Sequence, residues 1–288
     1  MKIRHHILLL ACLLLPAGWA HAAITCSISS PGFYAVYDGL ATTPNLNMSS
    51  YTVTCSRLSG DPMTLNYITF TDDGLYNNGS SSGNRAKLTT STNYIKYDFY
   101  TDSTYSANWS KSNKCIIGTL NFGSALSASQ TRTYYSRLAA LLSPPQGTYT
   151  DTVTASMSYN QSACVNNASQ DASTSFPVTI SNVPGCQIAT PPGDVAFAYT
   201  SYSGGDIAAS TSFQARCTTN VAYTMALDAY SGSVIGLNYG LTLSASSGTG
   251  NGALQSHIIN GTMLAGQSGI CATATCSGSQ ARSLTISY

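Results

Sequence analysis

Residues 148–159 read TYTDTVTASMSY, and residues 281–288 read ARSLTISY. In both stretches apolar and polar residues alternate, which is typical of a β-strand with one face in a core. Both stretches end in Ser-Tyr, at Tyr159 and at Tyr288. Two such similar strands, far apart in the chain, indicate that the sequence contains an internal repeat.

Cysteines open and close matching intervals in the two halves. Cys26 opens CSISSPGFYAVYDG and Cys55 closes SSYTVTC, while Cys186 opens CQIATPPGDVAFAYTS and Cys217 closes STSFQARC. An alternating strand follows each interval, MTLNYITF in the first half and VAYTMALD in the second. Period-two strands separated by Gly, Asn, Ser and Pro predict an all-β protein of two immunoglobulin-like antiparallel β-sandwiches.

The start of the chain has the features of an export signal. Lys2 and Arg4 give a positive start, residues 7–15 form an apolar core, and Ala-His-Ala at 20–22 is a small-x-small cleavage site. The apolar run is shorter than the roughly 20 residues of a membrane-spanning helix, so we expect no transmembrane segment. We therefore expect a signal peptide at 1–22.

The remaining chain divides at the second opening cysteine. We expect an N-terminal domain at 23–183 and a C-terminal domain at 184–288, one for each half of the repeat. Only three residues precede Cys26 in the predicted mature chain, whereas a free strand that pairs with another subunit needs about ten residues. We therefore expect this chain to receive a strand rather than to donate one, and to lie at the end of a fibre.

Of the nine cysteines, Cys12 lies in the predicted signal peptide. There LLAC also loosely matches a lipoprotein cleavage box, which is the less favoured alternative. The other eight are an even number and predict disulfides in an exported protein, although eight cysteines allow many connectivities. The repeat favours Cys26–Cys55 and Cys186–Cys217. A Cys271–Cys276 pair would close a small loop, and Cys115–Cys164 is the pair that remains.

The two halves differ after their Ser-Tyr strands. The first half continues through QSACVNNASQDA into STSFPVTISNV, where Phe176, Val178 and Ile180 alternate on one face. Pro177 lies between them, which favours an edge strand. The second half has no equivalent, so we expect the C-terminal sandwich to lack its last strand and to expose a sheet edge and a core groove. A strand donated by another chain would cover both.

The composition excludes several classes of function. Charged residues make up 8% of the chain, against about 25% in average domains, and the formal net charge is +1. Such a balance argues against nucleic acid as a partner. His257 is the one histidine of the predicted mature chain and we interpret it as structural, and we see no nucleophile elbow, in which a GxSxG turn joins a strand to a helix. We expect no catalysis, no metal site and no cofactor, and we interpret Asp72-Asp73-Gly74 as a turn.

Further motifs accompany the paired cysteines. Arg85 precedes an apolar strand, Tyr134-Tyr135 lie in another, and Gly147-Thr148-Tyr149-Thr150-Asp151-Thr152 opens a third, although the second half lacks that opening. With these features the chain resembles the spore coat protein U domain family, which includes secreted pilins of the archaic chaperone–usher class. The resemblance implies a two-domain tip adhesin. Its N-terminal domain would contact an abiotic or host surface, and an adjacent pilin subunit would complete its C-terminal domain by strand donation.

The resemblance also implies partners and a location. It implies a periplasmic chaperone, an outer-membrane usher, export through the periplasm to the tip of a fimbrium at the cell surface, and a role in attachment and biofilm formation. Two alternatives stay open: a spore-coat or fibre structural subunit, and a free-standing secreted carbohydrate-binding protein with two finished sandwiches.

Loops on a rigid sandwich commonly carry binding contacts. Three loop-like stretches hold apolar or aromatic residues among turn residues, and a fourth surrounds Cys164 in QSACVNNASQ. For Leu141 or Leu142 the alternative is that it caps the core, and for Trp109 that it covers a sheet end. The candidate surface-binding residues are Leu75, Tyr76, Tyr105, Trp109, Ala139, Ala140, Leu141 and Leu142.

Overall fold

The structure, a computed structural model, describes residues 24–76 and 83–288. The predicted signal peptide at 1–22 lies outside the described residues, as do residues 77–82 of the stretch that follows Tyr76. The described residues form strands joined by turns and loops. Among them, no helix is long and apolar enough to cross a membrane.

Ten strands make up the first unit, and eight make up the second. The first ten are β1 Thr25–Ser29, β2 Phe33–Tyr37, β3 Asn45–Ser56, β4 Thr64–Thr71, β5 Asn84–Leu88, β6 Tyr94–Tyr100, β7 Ile116–Asn121, β8 Ser127–Leu138, β9 Gly147–Tyr159 and β10 Ala172–Asn182. The other eight are β11 Cys186–Thr190, β12 Ile207–Cys217, β13 Ala222–Leu227, β14 Ser231–Val234, β15 Leu237–Leu243, β16 Ser247–Thr249, β17 Leu254–Met263 and β18 Leu284–Ser287.

The first unit is a sandwich closed by its last strand. One layer runs β1-β3-β8-β6, and the other contains β2, β10, β9 and β5 in order, with β4 and β7 beside β9. Strand β6 pairs with strands of both layers. On β10 the apolar side chains Phe176, Val178 and Ile180 are at most 1% exposed, because alternate residues of a strand point into the core.

The second unit consists of two smaller sheets around its own core. Their strand orders are β11-β12-β17-β15-β14 and β16-β13-β18. The two units have separate clusters of buried apolar residues. The predicted all-β, immunoglobulin-like architecture is confirmed. It differs from the prediction at two places. Strand β2 runs parallel to β10 instead of antiparallel. Strand β10, expected at a sheet edge because of Pro177, lies between β9 and β2, and its ladder with β2 begins only at Val178, after the proline.

A tyrosine facing a glycine fixes how the two units correspond. Tyr67 on β4 lies opposite Gly118 on β7, and Tyr223 on β13 lies opposite Gly248 on β16. A Cβ atom at either glycine would lie within 2.5 Å of the tyrosine ring or its hydroxyl, so the ring occupies the space of the absent side chain. Strand β4 also pairs with β9, as β13 pairs with β18. Strand β18 is therefore the counterpart of β9.

Two of the four disulfides hold the first strand of each unit to its neighbour in the sheet. The structure forms the pairs that the sequence favours: Cys26–Cys55, Cys115–Cys164, Cys186–Cys217 and Cys271–Cys276. The pairs at Cys26 and Cys186 lie at matching positions in β1–β3 and β11–β12.

Substitution of Gly118 by Ala is expected to destabilise the first unit by about 1–3 kcal/mol, because the new methyl group overlaps the Tyr67 ring. Urea unfolding of the full mature chain measures the effect. Gly204→Ala is the matched control, since no atom lies within 4 Å of a Cβ at Gly204. Equal stability of the two variants would contradict this account of the repeat.

Candidate strand-binding groove and apolar end

In the first unit β10 occupies a slot between two strands. It pairs antiparallel with β9 from Ala172 to Asn182 and parallel with β2 from Val178 to Asn182. In the second unit, β18 pairs with β13 on one side. The counterpart of β2 is the segment 195–199, in which Val195, Phe197 and Tyr199 pack against the core of the second unit. The described residues supply no strand between β18 and this segment.

The segment 195–199 also lacks the ladder that β2 makes. Among the described residues, 191–199 form no backbone–backbone hydrogen bond. Backbone N–H and C=O groups near an apolar core normally have partners. The edge of β18 and the segment 195–199 therefore present two rows of backbone groups to the same open slot.

The slot is a groove of about 770 Å³. Its apolar lining comes from both sheets of the second unit and from the segment 195–199. The apolar residues that line it include Phe197, Leu227, Leu237, Leu241, Met263 and Leu284. In shape and lining, the groove fits an extended strand with alternating apolar residues.

One part of the groove is polar. The Tyr239 hydroxyl donates to Gln280 Oε1 at 2.7 Å, and Arg282 donates from Nε to the Tyr239 oxygen at 3.1 Å and from Nη2 to Gln280 Oε1 at 3.0 Å. A Cβ at Gly232 would lie within 2.5 Å of all three groups. The absence of a side chain at Gly232 thus makes room for this polar cluster, which we define as Tyr239, Gln280 and Arg282.

The first unit has a related pair at the matching position. There the Tyr97 hydroxyl donates to Asp151 Oδ2 at 2.8 Å, and the Leu75 amide donates to Asp151 Oδ1 at 2.9 Å. Burial raises the pKa of the Asp151 carboxyl above its ordinary value, while the hydrogen bonds from Tyr97, Thr152 and Leu75 lower it. In the second unit Gln280 takes the place of Asp151. The pair of Tyr239 and Gln280 therefore contains no carboxyl group that titrates.

The structure does not bring the candidate surface-binding residues together. Leu75 is exposed beside β9, where its amide contacts Asp151, and the Tyr76 ring lies 6.1 Å from that of Tyr94. The Tyr105 ring is 6.1 Å from Tyr135, beside the β6–β8 pairing. These residues lie on the sides of the first sandwich.

Trp109 is a core residue rather than a surface one. Its side chain is 0% exposed, its ring stacks on Tyr51 at 5.0 Å, and its Nε1 donates to the Thr69 carbonyl at 2.9 Å. The isolated β-bridge between Tyr100 and Asn108 brings the preceding loop back to the sheet, so the ring enters the sandwich. Its indole therefore stabilises the first unit and is closed to a surface ligand.

The stretch from Ala139 to Leu142 lies where the two units meet. The Tyr37 hydroxyl donates to the Ala139 carbonyl at 2.8 Å and accepts from the Leu142 amide at 3.0 Å. The next residue, Ser143, accepts from Arg216 at 2.8 Å and from Thr219 at 2.7 Å. Leu141 and Leu142 keep 41% and 38% of their surface exposed beside this junction. Ala140 belongs to the same turn.

The opposite end of the first sandwich carries two loops that lie outside the stretches predicted from the sequence to bind a surface. We call residues 57–63 and 122–126 the far end, because β3, β4, β7 and β8 reach it at the ends remote from the junction. Leu58, Met63 and Leu126 are 55%, 63% and 52% exposed there. These three apolar side chains make the far end a candidate binding surface.

A buried arginine holds the two loops of the far end together. Arg57 is 8% exposed, and its guanidinium lies over the Phe122 ring at 5.6 Å. The Arg57 amide also donates to the Leu126 carbonyl at 2.8 Å. The guanidinium donates to four backbone carbonyls, those of Leu58, Asp61, Gly123 and Ala125. These bonds make the far end a rigid surface, since they fix both loops to one side chain.

The sequence held a weak signal for this surface. Leu58 and Met63 are single apolar residues among Ser, Gly, Asp and Pro, Leu126 follows Ala125, and each lies next to or near the end of a strand. The pattern differs little from that of an ordinary turn, whereas the chosen stretches contain aromatic or consecutive apolar residues.

The family comparison identifies the kind of domain. The family model described as Spore Coat Protein U domain matches residues 12–156 and 172–249, which is more than half of the chain. The chain belongs to the spore coat protein U domain family. A comparison with curated proteins finds no match.

Several solved structures are similar to this family member. One is the complex of the chaperone CsuC with the tip adhesion subunit CsuE from archaic Csu pili of Acinetobacter baumannii, with 12% identity, coverage of 92% of this chain and 100% of that chain, and a TM-score of 0.49. Another is the CupB6 tip adhesin from Pseudomonas aeruginosa, with 8% identity, coverage of 92% and 94%, and a TM-score of 0.36. A third is the Escherichia coli CssB subunit complemented with a donor strand from CssA, with 19% identity, coverage of 55% and 97%, and a TM-score of 0.27.

His257 of this spore coat protein U domain chain is a core residue of the second unit. It is 8% exposed, stacks on Phe213 at 5.3 Å and is 3.2 Å from the Tyr223 hydroxyl. Among the described residues, no group of three or more His, Cys, Asp or Glu side chains is placed to hold a metal ion. Burial lowers the pKa of His257 below its ordinary value of 6.5.

The lowered pKa of His257 predicts the pH dependence of the second unit. The unfolded chain binds the proton more readily, so the free energy of unfolding falls as the pH drops through 6.5 and levels off below the folded pKa. His257→Gln is expected to flatten this part of the profile. Thermal unfolding between about pH 5 and pH 8 measures it. Identical profiles for the variant and the natural chain would show that His257 does not titrate in this way.

Proposed function

We propose that this protein is an exported pilus subunit of the chaperone–usher class, placed at the tip of the fibre as an adhesin. In this proposal residues 1–22 are a signal peptide, 23–183 form the adhesive domain, and 184–288 form the domain that joins the fibre. The observation that carries the proposal is the open groove between β18 and the segment 195–199, at the place where β10 lies in the first unit. Membership in the spore coat protein U domain family supports it.

A donated strand from the adjacent pilin subunit fits the groove for two physical reasons. It would pair with the free edge of β18 and with the segment 195–199, as β10 pairs with β9 and β2. Its apolar side chains would fill the groove as Val178 and Ile180 fill the first sandwich. Each buried side chain of this kind contributes roughly 1.5–3 kcal/mol, so the pairing is stable once formed.

The proposed partners follow from the same groove. An apolar groove beside an unpaired sheet edge promotes aggregation unless it is covered. A periplasmic chaperone would cover it before assembly, and an outer-membrane usher would pass the subunit to the cell surface, where the next pilin replaces the chaperone. We propose no catalytic activity, and the roles in attachment and biofilm formation follow from the position at the fimbrium tip.

The far end is the proposed adhesive surface for an abiotic or host surface. It lies opposite the junction with the second unit, so it points away from the fibre when the second unit is attached. Its exposed Leu58, Met63 and Leu126 present apolar area that is favourable to remove from water. Arg57 holds the loops in place, which lowers the entropy cost of binding. Leu75 and Leu141, candidates from the sequence, serve as comparison positions.

A peptide with the sequence of residues 172–182 is expected to bind the full mature chain and to raise the midpoint of thermal unfolding of the second unit by several degrees, because ligands that bind only the folded state stabilise it. A peptide with Phe176, Val178 and Ile180 replaced by serine is the control, and it is expected to have no effect. An unfolding midpoint that is already high and ignores both peptides would favour a free-standing binding protein over a fibre subunit.

The triple variant Leu58→Ser, Met63→Ser and Leu126→Ser is expected to lose most binding to a hydrophobic surface such as polystyrene, because three exposed apolar groups become polar. Adsorption of the purified chain, beside its unfolding midpoint, measures this. The double variant Leu75→Ser and Leu141→Ser is the control and is expected to bind almost as well as the natural chain. Loss of binding in the double variant alone would assign adhesion to those two loops instead.

A further inference from the structure

We propose that the strand that fills the groove carries a side chain with a hydrogen-bond acceptor, preferably a carboxylate, opposite Arg282. This inference rests on the proposed function, since it specifies the chemistry of the donated strand. It follows from a comparison of the two units of this chain, residue by residue, along the slot that β10 fills in the first unit.

The register of the missing strand can be transferred from the first unit. With Tyr67 matched to Tyr223, the pair of Thr71 and Ala155 on β4 and β9 corresponds to the pair of Leu227 and Leu284 on β13 and β18. Two residues before Ala155 lies Val153, and two residues before Leu284 lies Arg282.

The partner position on the filling strand follows from this register. In the first unit Phe176 of β10 lies directly opposite Val153, and both side chains are buried in the core. The donated strand therefore places the residue that corresponds to Phe176 opposite Arg282. Residues directly opposite in an antiparallel pair lie on the same face and contact each other. The first unit thus has the apolar pair Phe176 and Val153, whereas the second unit has the cation Arg282 opposite a residue of the donated strand.

Arg282 faces the groove rather than the solvent on the outer face. It lies on the same side of its strand as Leu284 and Ile286, both of which pack against the core of the second unit. Its side chain is 20% exposed, and it lines the groove. A strand laid into the groove would cover most of this remaining surface.

The contacts of Arg282 leave part of its guanidinium without a hydrogen-bond partner. Its Nε and Nη2 donate to the Tyr239 hydroxyl, to Gln280 Oε1 and to the Ser231 carbonyl. Among the described residues no hydrogen bond from its Nη1 is found, and the Asp228 carboxylate lies 4.0 Å away, which is too long for one. The Asp228 side chain is itself 45% exposed, so solvent weakens this pair.

When the donated strand covers Arg282, the guanidinium loses water, and leaving its Nη1 without a hydrogen-bond acceptor costs free energy. A guanidinium carries five N–H donors and stays charged, and a buried charge is tolerated when it is paired and hydrogen-bonded. A carboxylate on the incoming strand would bond to Nη1 and balance the charge. A leucine would leave Nη1 with only the Asp228 carboxylate at 4.0 Å, and a lysine would repel the guanidinium. The groove therefore selects among strands by charge as well as by apolar pattern.

The test measures binding of four peptides to the full mature chain by fluorescence anisotropy, all based on residues 172–182. One carries Phe176→Leu, one Phe176→Asp, one Phe176→Lys, and the fourth combines Phe176→Leu with Ser175→Asp. The last is the matched control, because Ser175 faces outward and the added charge is the same. On the natural chain the Phe176→Asp peptide is expected to bind about tenfold more tightly than the Phe176→Leu and control peptides, and the Phe176→Lys peptide most weakly.

The same series on the variant Arg282→Val separates the possible outcomes. There the order is expected to invert, with the Phe176→Leu peptide the tightest. Equal binding of the Asp and Leu peptides to the natural chain, or a preference for Asp that persists in Arg282→Val, overturns the inference while the strand-binding function stands. Binding of none of the four overturns both. If Arg282→Val does not fold, the natural-chain series decides alone, and a true charge pair then weakens as salt is added.

Discussion

Strand β10 supplies the first sandwich with two hydrogen-bond ladders and three buried apolar side chains. The position and pairing of its neighbours, β9 and β2, depend on it, because neither strand has another strand to complete that side of the sheet. The second unit repeats the neighbours and lacks the strand among its described residues. The edge of β18 and the core of the second unit both need the same missing strand. The need to accept a strand is therefore the physical constraint from which the other features follow.

The rest of the first unit is consistent with a role at the outer end of a fibre. The junction holds the two units through Ser143, Arg216 and Thr219, so the first unit has a defined direction relative to the second. At the opposite end, one buried guanidinium ties two loops to each other. The chain thus has a rigid apolar surface at one end and an open slot in the other unit, with hydrogen bonds at the boundary between them.

Much of the fold could be predicted because it depends on local sequence patterns. Alternating residues gave the strands, and matching cysteines gave the repeat and two disulfides. The absence of a counterpart to STSFPVTISNV predicted the open groove. The surface residues were harder to predict, since exposure depends on how loops return to the sheet. Trp109 enters the core through contacts with Tyr51 and Thr69, and the apolar run at 139–142 lies against Tyr37 near the junction. Arg57 and Arg282 act through tertiary contacts that no spacing shows.

The most direct measurement is amide hydrogen exchange of the full mature chain, with and without the peptide of residues 172–182, followed at residues 195–199. Residues 33–37 are the internal reference, because β10 already pairs with them. Residues 195–199 are expected to exchange fast in the chain alone and slowly once the peptide is bound, while residues 33–37 exchange slowly throughout. Slow exchange at 195–199 without the peptide, or no change when it is added, would contradict the claim that this segment is the unpaired side of a strand-binding groove.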